Sequence, residues 1–283
     1  MNASRIAVVT DSTADLPDAL RQRLGIAVVP VGVRFGKETL RDGVDIGPEA
    51  FLARLAASPE PPRTVAPAME EFAETFARLA RDHDGIVAVI GSSKLGSTAS
   101  VARAAAAGAG IPVEVVDSRS ATMGLGWQAV RAAELAAEGL DAAAIAHRLR
   151  SETARYEVVF FVDTLEYLRR GARIGRAAAA IGEALDLKPL LRIDEGVVVP
   201  AERARTRARA IDALVESVRA LGRVERVAAL HVSDPRDGDA LAVRLRDELG
   251  LAPEQVIVAR IGPGVATHAG PGALGVAVAD LPD

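Results

Sequence analysis

The chain has 283 residues, 49% hydrophobic but only 3% aromatic, with a formal net charge of −4 and a pI near 5.7. This balance excludes a global attraction to nucleic acid or anionic membrane, and so few aromatics offer no stacking platform for single strands. The absence of cysteine excludes disulfides, thiolate catalysis and cysteine-ligated metals.

The opening Met1-Asn-Ala-Ser-Arg5 runs into a strand without a signal-peptide pattern. No uninterrupted apolar run approaches the ~18 residues of a spanning helix. A cytoplasmic protein with at most transient membrane contact is the expectation. Arg5–Thr10 predicts a strand and Asp11-Ser-Thr-Ala-Asp15 a polar turn, in which Ser12 and Asp15 have capping-box spacing with Asp in place of Glu. A helix over Pro17–Leu24, a strand over Ile26–Val33, a polar loop at Leu40–Ile46 and a helix over Gly47–Ala57 follow. Four prolines between Pro59 and Pro67 predict a stiff, irregular connector. Thr64 within it either caps the next helix or is a rigidly held hydroxyl aimed at a ligand. Met69, Phe72, Phe76 and Leu79 have helical spacing.

Ile86-Val-Ala-Val-Ile90 predicts a buried strand. It is followed by Gly91-Ser-Ser-Lys-Leu-Gly-Ser-Thr98 and an alanine-rich helix to about 108. A helix N-terminus carries free N–H groups and partial positive charge. One cap needs one hydroxyl, so four hydroxyls (Ser92, Ser93, Ser97 and Thr98) favour an anion, a carboxylate or phosphate, over capping alone. The loop lacks the spacing of a nucleotide-binding P-loop. A strand at Val113–Val116 and helices at Met123–Glu138 and Ala142–Ala154 complete a strand–helix alternation. This half therefore reads as a parallel sheet with helices on both faces, with its polar turns at the strand ends where such sheets bind ligands.

From about 156 the pattern becomes mixed. Val158–Val162 predicts a strand, and Leu165–Arg170 and Arg176–Leu185 predict helices. Asp194-Glu-Gly196 predicts a hairpin turn. A helix over Arg205–Leu221, then strand, helix and two strands (Val227–Val232, Asp237–Leu249, Gln255–Ile261, Leu274–Ala279), complete it. The fold class reads as α/β with two domains, 1–155 and 156–283.

Gly262-Pro-Gly264-Val-Ala-Thr-His268-Ala-Gly-Pro-Gly272 surrounds one histidine with paired glycines and prolines. This favours a functional His268, donating to an anion or orienting a serine. The histidines have no metal-ligand spacing, so no metal is expected. Arginines cluster at 169, 170, 173 and 176 and at 203, 205, 207 and 209. Such runs are usually solvated, but forked donors suit carboxylate or phosphate, and a local basic patch suits an acidic partner.

Thr10-Asp-Ser-Thr-Ala-Asp-Leu-Pro17, Val29-Pro-Val31 with Asp42-Gly-Val-Asp45, Thr64, Gly91–Thr98, Val116-Asp-Ser118, Leu165–Ile174 and Gly262–His268 together resemble the DegV family of FakB-type fatty-acid-binding proteins. The resemblance spans nearly the whole chain. It implies a carrier, itself without a catalytic group or cofactor, that buries one long-chain fatty acid between the two domains and presents the carboxylate to a separate fatty acid kinase. Carried over by motif, Thr64, Ser93 and His268, with Ser92 adjacent, would bind the carboxylate. Arg170, Arg173, Arg205 and Arg207 would dock the kinase. Gly96-Ser97 inverts the Ser-Gly common in the family, and Ala172 replaces a common glycine. Burial of ~14 methylenes at ~0.8 kcal/mol each is enough for reversible binding after association costs. Candidate tunnel walls are 177–181 and 184–187. Two other readings are a serine esterase using Ser93 and His268, against which Lys94 occupies the second glycine of a nucleophile elbow, and a binding module for a phosphorylated polar small molecule.

Overall fold

In a computed structural model the described residues are 5–175 and 188–280. Four strands, β1 (Ile6–Asp11), β2 (Ala27–Val29), β6 (Gly85–Ile90) and β7 (Val113–Asp117), form a parallel sheet in the order β2-β1-β6-β7. The alternation of side chains along β6 explains its unbroken apolar sequence. Ile86, Ala88 and Ile90 pack with Phe72, Phe76, Ala99 and Ala102 of α3 (Met69–Leu79) and α4 (Thr98–Ala106). Val87 and Val89 face the other way, into the core containing α5 (Thr122–Ala137) and α6 (Ala142–Glu152).

The strand expected over Ile26–Val33 is two strands. Pro30 has no N–H for a ladder, and the N–H of Val31 donates instead to Ser12 Oγ at 3.0 Å. The chain leaves the parallel sheet there, and β3 (Gly32–Phe35) pairs with β4 (Glu38–Arg41) and β5 (Arg63–Val65) in a small antiparallel sheet. The expected polar loop at 40–46 thus begins within a strand. The proline-rich connector likewise contains β5, whose pairing fixes the backbone at Thr64. Helices α1 (Asp18–Arg23) and α2 (Pro48–Ala57) lie in the same region.

The remaining strands are β8 (Tyr156–Phe161), β9 (Lys188–Asp194), β10 (Val197–Ala204), β11 (Arg226–His231), β12 (Val256–Arg260) and β13 (Leu274–Ala279). They form a mixed sheet ordered β10-β9-β8-β13-β11-β12. One face packs on α8 (Arg207–Ala220) and α9 (Pro235–Leu249) through Phe161, Leu190, Leu214, Val218, Leu241 and Leu245. The β9–β10 turn has Glu195 at φ 48° and Gly196 at φ 82°, the pair of left-handed residues that suits the twist of a two-residue hairpin.

The other face meets α5. Trp127 Nε1 donates to the Ala277 carbonyl at 3.0 Å, and one apolar cluster runs from Val87 and Val89 through α5 to Val158, Leu191 and Ala277. Two short helices complete the frame: α7 (Glu166–Arg170) and α10 (Pro263–Ala269). Within the glycine–proline segment around His268, Pro263–Ala269 form a helix, α10. Pro263 occupies its first turn, where a missing N–H costs nothing, and Gly270 at φ 78° ends it. The helix expected at 176–185 and the wall candidates at 177–181 and 184–187 lie outside the described residues. No helix among the described residues is long and apolar enough to cross a membrane.

A candidate binding cavity between the two sheets

A cavity of about 180 Å³ lies between the sheets. The α5-facing side of the mixed sheet supplies Val158, Phe160, Ile193, Val198 and Leu230. The first half supplies Thr64, the Gly91–Thr98 loop and the start of α5, and α10 supplies His268. One region of the wall is therefore aliphatic and another is rich in donors.

The loop after β6 is shaped by Asp11 at the end of β1. Its carboxylate accepts from Gly91 N at 2.8 Å, from Thr13 N at 2.9 Å and from the Thr13 hydroxyl. A Cβ on Gly91 would stand 2.9 Å from Thr13 Oγ1, so only glycine passes here. Burial pushes the Asp11 carboxyl above its ordinary pKa, although these three bonds oppose the shift. The capping expected from Ser12 and Asp15 is made by Asp11 instead. Ser12 holds Val31, and Asp15, at φ 50°, accepts from Gly262 N at 2.8 Å.

Of the sequence-predicted ligands, Thr64, Ser92 and His268 line the cavity. Thr64 Oγ1 lies 2.9 Å from His268 Nε2. Burial, with help from the nearby Arg173 charge, pushes the His268 pKa down to about 3, so the imidazole is neutral near pH 7. Its Nδ1 is buried without a partner and lies over Gly171, where any Cβ would collide with the ring. The Ser92 hydroxyl donates to the Gly196 carbonyl at 2.7 Å, tying the loop to the hairpin tip. Lys94 Nζ reaches Glu195 O at 2.7 Å, and Arg119 pairs with the Glu195 carboxylate.

Ser93 is placed differently from the expectation. It is exposed, absent from the cavity wall, and donates through its backbone and hydroxyl to Asp117. The carboxylate at the end of β7 turns Ser93 outward, while its neighbour Ser92 turns inward. Ser97 and Thr98 do line the cavity at the start of α4.

The four arginines assigned to docking separate. Arg173 lines the cavity, donating to Leu95 O at 2.7 Å and Gly171 O at 2.6 Å. Its half-buried guanidinium has no carboxylate partner among the described residues, and desolvation pulls its pKa down. The sequence signal for it was only its place in an arginine run. Arg170 pairs with Glu166 on the surface. Arg207 pairs with Asp237, donates to Gly272 O at 3.1 Å and lies over the Phe161 ring. Arg205 is exposed and makes no ion pair among the described residues. It borders a surface groove with Arg203 and Arg209.

Two carboxylates that the sequence did not mark as functional sit beside the site. Asp15 and Asp42 reach from the first half to the backbone of Gly262 and Gly264, at 2.8 and 3.2 Å. Both are buried. Burial raises Asp42 to about 6, and it raises Asp15 well above the usual carboxylate range.

Fold and site together define an α/β protein whose cavity, between the parallel and the mixed sheet, has an aliphatic wall and a donor-rich region. The DegV family model matches residues 5–281, and the chain belongs to the DegV family. A DegV domain-containing protein of Streptomyces coelicolor is 42% identical over 96% of this chain and 98% of its own. A solved DegV family protein from Thermus thermophilus, described as fatty acid binding, superposes with a TM-score of 0.90. It is 36% identical and covers 98% of this chain and 100% of its own. DegV of Bacillus subtilis, described as a fatty acid binding protein, gives a TM-score of 0.86 at 30% identity, over 98% of this chain and 100% of its own.

Proposed function

We propose that this chain binds one long-chain fatty acid, with its tail against Val158, Phe160, Ile193, Val198 and Leu230 and its carboxylate among Thr64, His268 and Arg173. The carrying observation is the convergence of a neutral histidine, a hydroxyl and a half-buried cation, without a carboxylate partner among the described residues, at the donor-rich region of an otherwise aliphatic cavity. A carboxylate buried unpaired would be costly. Here the charge-assisted partner Arg173 and the Thr64 hydroxyl offset that cost. When neutral His268 donates from Nε2 to Thr64 Oγ1, the threonine proton is free for the ligand. The fatty-acid binding described for the Thermus and Bacillus relatives supports this reading.

The protein acts as a carrier, and the carboxylate is presented to a separate fatty acid kinase for conversion to acyl phosphate. Docking involves the exposed cations Arg170 and Arg205, with Arg207 fixed behind them by Asp237. Arg173, on the cavity wall, is assigned to the carboxylate.

Extraction of the purified protein with organic solvent, followed by mass spectrometry and titration with palmitate and oleate, tests the binding. A stoichiometric fatty acid, or saturable binding at one site, is expected. No extracted lipid together with no saturable binding of either acid would overturn the proposal.

A further inference from the structure

His268 is placed by a seven-residue helix, too short to be stable alone. Its position must therefore be imposed from outside. Apolar packing supplies part of that constraint, through Ala266 and Ala269. The directional part comes from two carboxylates that the chain brings from 247 and 222 residues away. Asp15 Oδ1 accepts from Gly262 N, and Asp42 Oδ2 accepts from Gly264 N.

Three features show that these contacts are specifically built. A Cβ on Gly264 would lie 2.8 Å from Asp42 Oδ2 and 2.8 Å from Val31 Cγ2, and one on Gly262 would lie 3.2 Å from Asp15 Oδ1. The glycines thus allow the carboxylates to reach the backbone. Asp42 is itself fixed, because its N–H donates to Val31 O at 2.9 Å. Both acids are kept at a cost in stability, since burial disfavours their charged forms. Core packing alone would be served as well by apolar residues.

We propose that Asp15 and Asp42 are positioning residues for His268, setting the register of α10 so that Nε2 meets Thr64. This rests on the reading of Thr64 and His268 as carboxylate ligands. Neither aspartate touches the fatty acid. Each acts through a backbone N–H, so the role needs an acceptor atom rather than a charge.

That distinction supplies the test. Asp42→Ala and Asp15→Ala leave a buried N–H without an acceptor, whereas Asp42→Asn and Asp15→Asn retain a carbonyl oxygen. Affinity for oleate, measured below the melting temperature of every variant, should fall about tenfold or more in the alanine variants. The asparagine variants should recover to within about threefold. A second readout needs no ligand. The chain has four histidines, and the imidazole resonance of His268, identified by its loss in His268→Gln, should move in the alanine variants and hold in the asparagine ones. Where an alanine variant does not fold, Gly264→Ala replaces it, because the added methyl pushes the Asp42 carboxylate aside. A purely structural role would lower the melting temperature with affinity and resonance unchanged, and that result overturns the proposal. If wild-type protein binds no oleate, the fatty-acid reading fails, and the resonance alone decides the positioning role.

Discussion

Thr64 Oγ1 and His268 Nε2 stand 2.9 Å apart although 204 residues separate them in the chain. One belongs to the edge of a three-stranded sheet in the first half, the other to a seven-residue helix near the end. Groups in one hydrogen-bonded unit should couple. Thr64→Val and His268→Gln are each expected to weaken fatty-acid binding by about tenfold, and the double variant by less than the product of the two. Isothermal titration of the four proteins measures the coupling. Strictly multiplicative losses would show that the pair does not work as a unit.

Two buried groups give opposite pH dependences. The folded pKa of His268, about 3, lies below its ordinary 6.5, so between these values the unfolded chain binds the proton and the fold does not. Stability from this residue is lost as pH falls through that window, at up to ~1.4 kcal/mol per unit. Asp42, raised from 3.8 to about 6, contributes stability below 3.8 that is lost as pH rises through 6. His268→Gln should therefore soften acid destabilisation, whereas Asp42→Asn should raise the melting temperature at pH 7 more than at pH 4. Melting curves from pH 4 to 7.5 check both, and changes of the same sign would contradict the assignment.

Arg173 and Arg205 should part company on substitution. Arg173→Gln removes the positive charge proposed for the carboxylate, and a loss of about tenfold or more in fatty-acid affinity is expected. Arg205→Ala should leave that affinity within about twofold, because the side chain is in solvent. The same variant should slow acyl phosphate formation when a fatty acid kinase is supplied. Equal effects of the two variants on direct binding would refute the division of labour.

Gly196 offers a steric test of the hairpin clasp. It sits at φ 82°, and an added Cβ would lie 2.5 Å from Ser92 Oγ. Gly196→Ala should destabilise by ~1–3 kcal/mol through backbone strain and loss of the Ser92 contact. Ser92→Ala should cost ~1–2 kcal/mol, because the Gly196 carbonyl loses its donor. Chemical denaturation measures both, and a neutral Gly196→Ala would show that the hairpin tip relaxes away from the loop.

Local sequence carried the regular elements well, because their signals are local. The apolar run of β6, the spacing of Phe72 and Phe76, and the Glu195-Gly196 turn each report their own conformation. What sequence misread depended on partners far along the chain. The strand expected over Ile26–Val33 ran straight through Pro30, and nothing nearby showed that Val33 would pair with Thr64. The pairing that makes 63–65 a strand lies about thirty residues upstream. Ser92 and Ser93 are chemically identical in the sequence, and only the carboxylate of Asp117 decides which one turns outward. Arg173 looked like its neighbours in a basic run until the fold turned its guanidinium to the Leu95 and Gly171 carbonyls.

The position of α5 limits how the molecule can be divided. Its residues fill the gap between the sheets, one side against Val87 and Val89 and the other against Val158 and Ala277. A cut near residue 155 would separate two stretches of sequence but not two self-sufficient folding units, because each fragment would lose half of a shared interior. Such fragments should recover structure only when mixed. For the same reason the halves cannot swing apart like a clam shell without tearing that interior, so a guest must enter by movement at the rim.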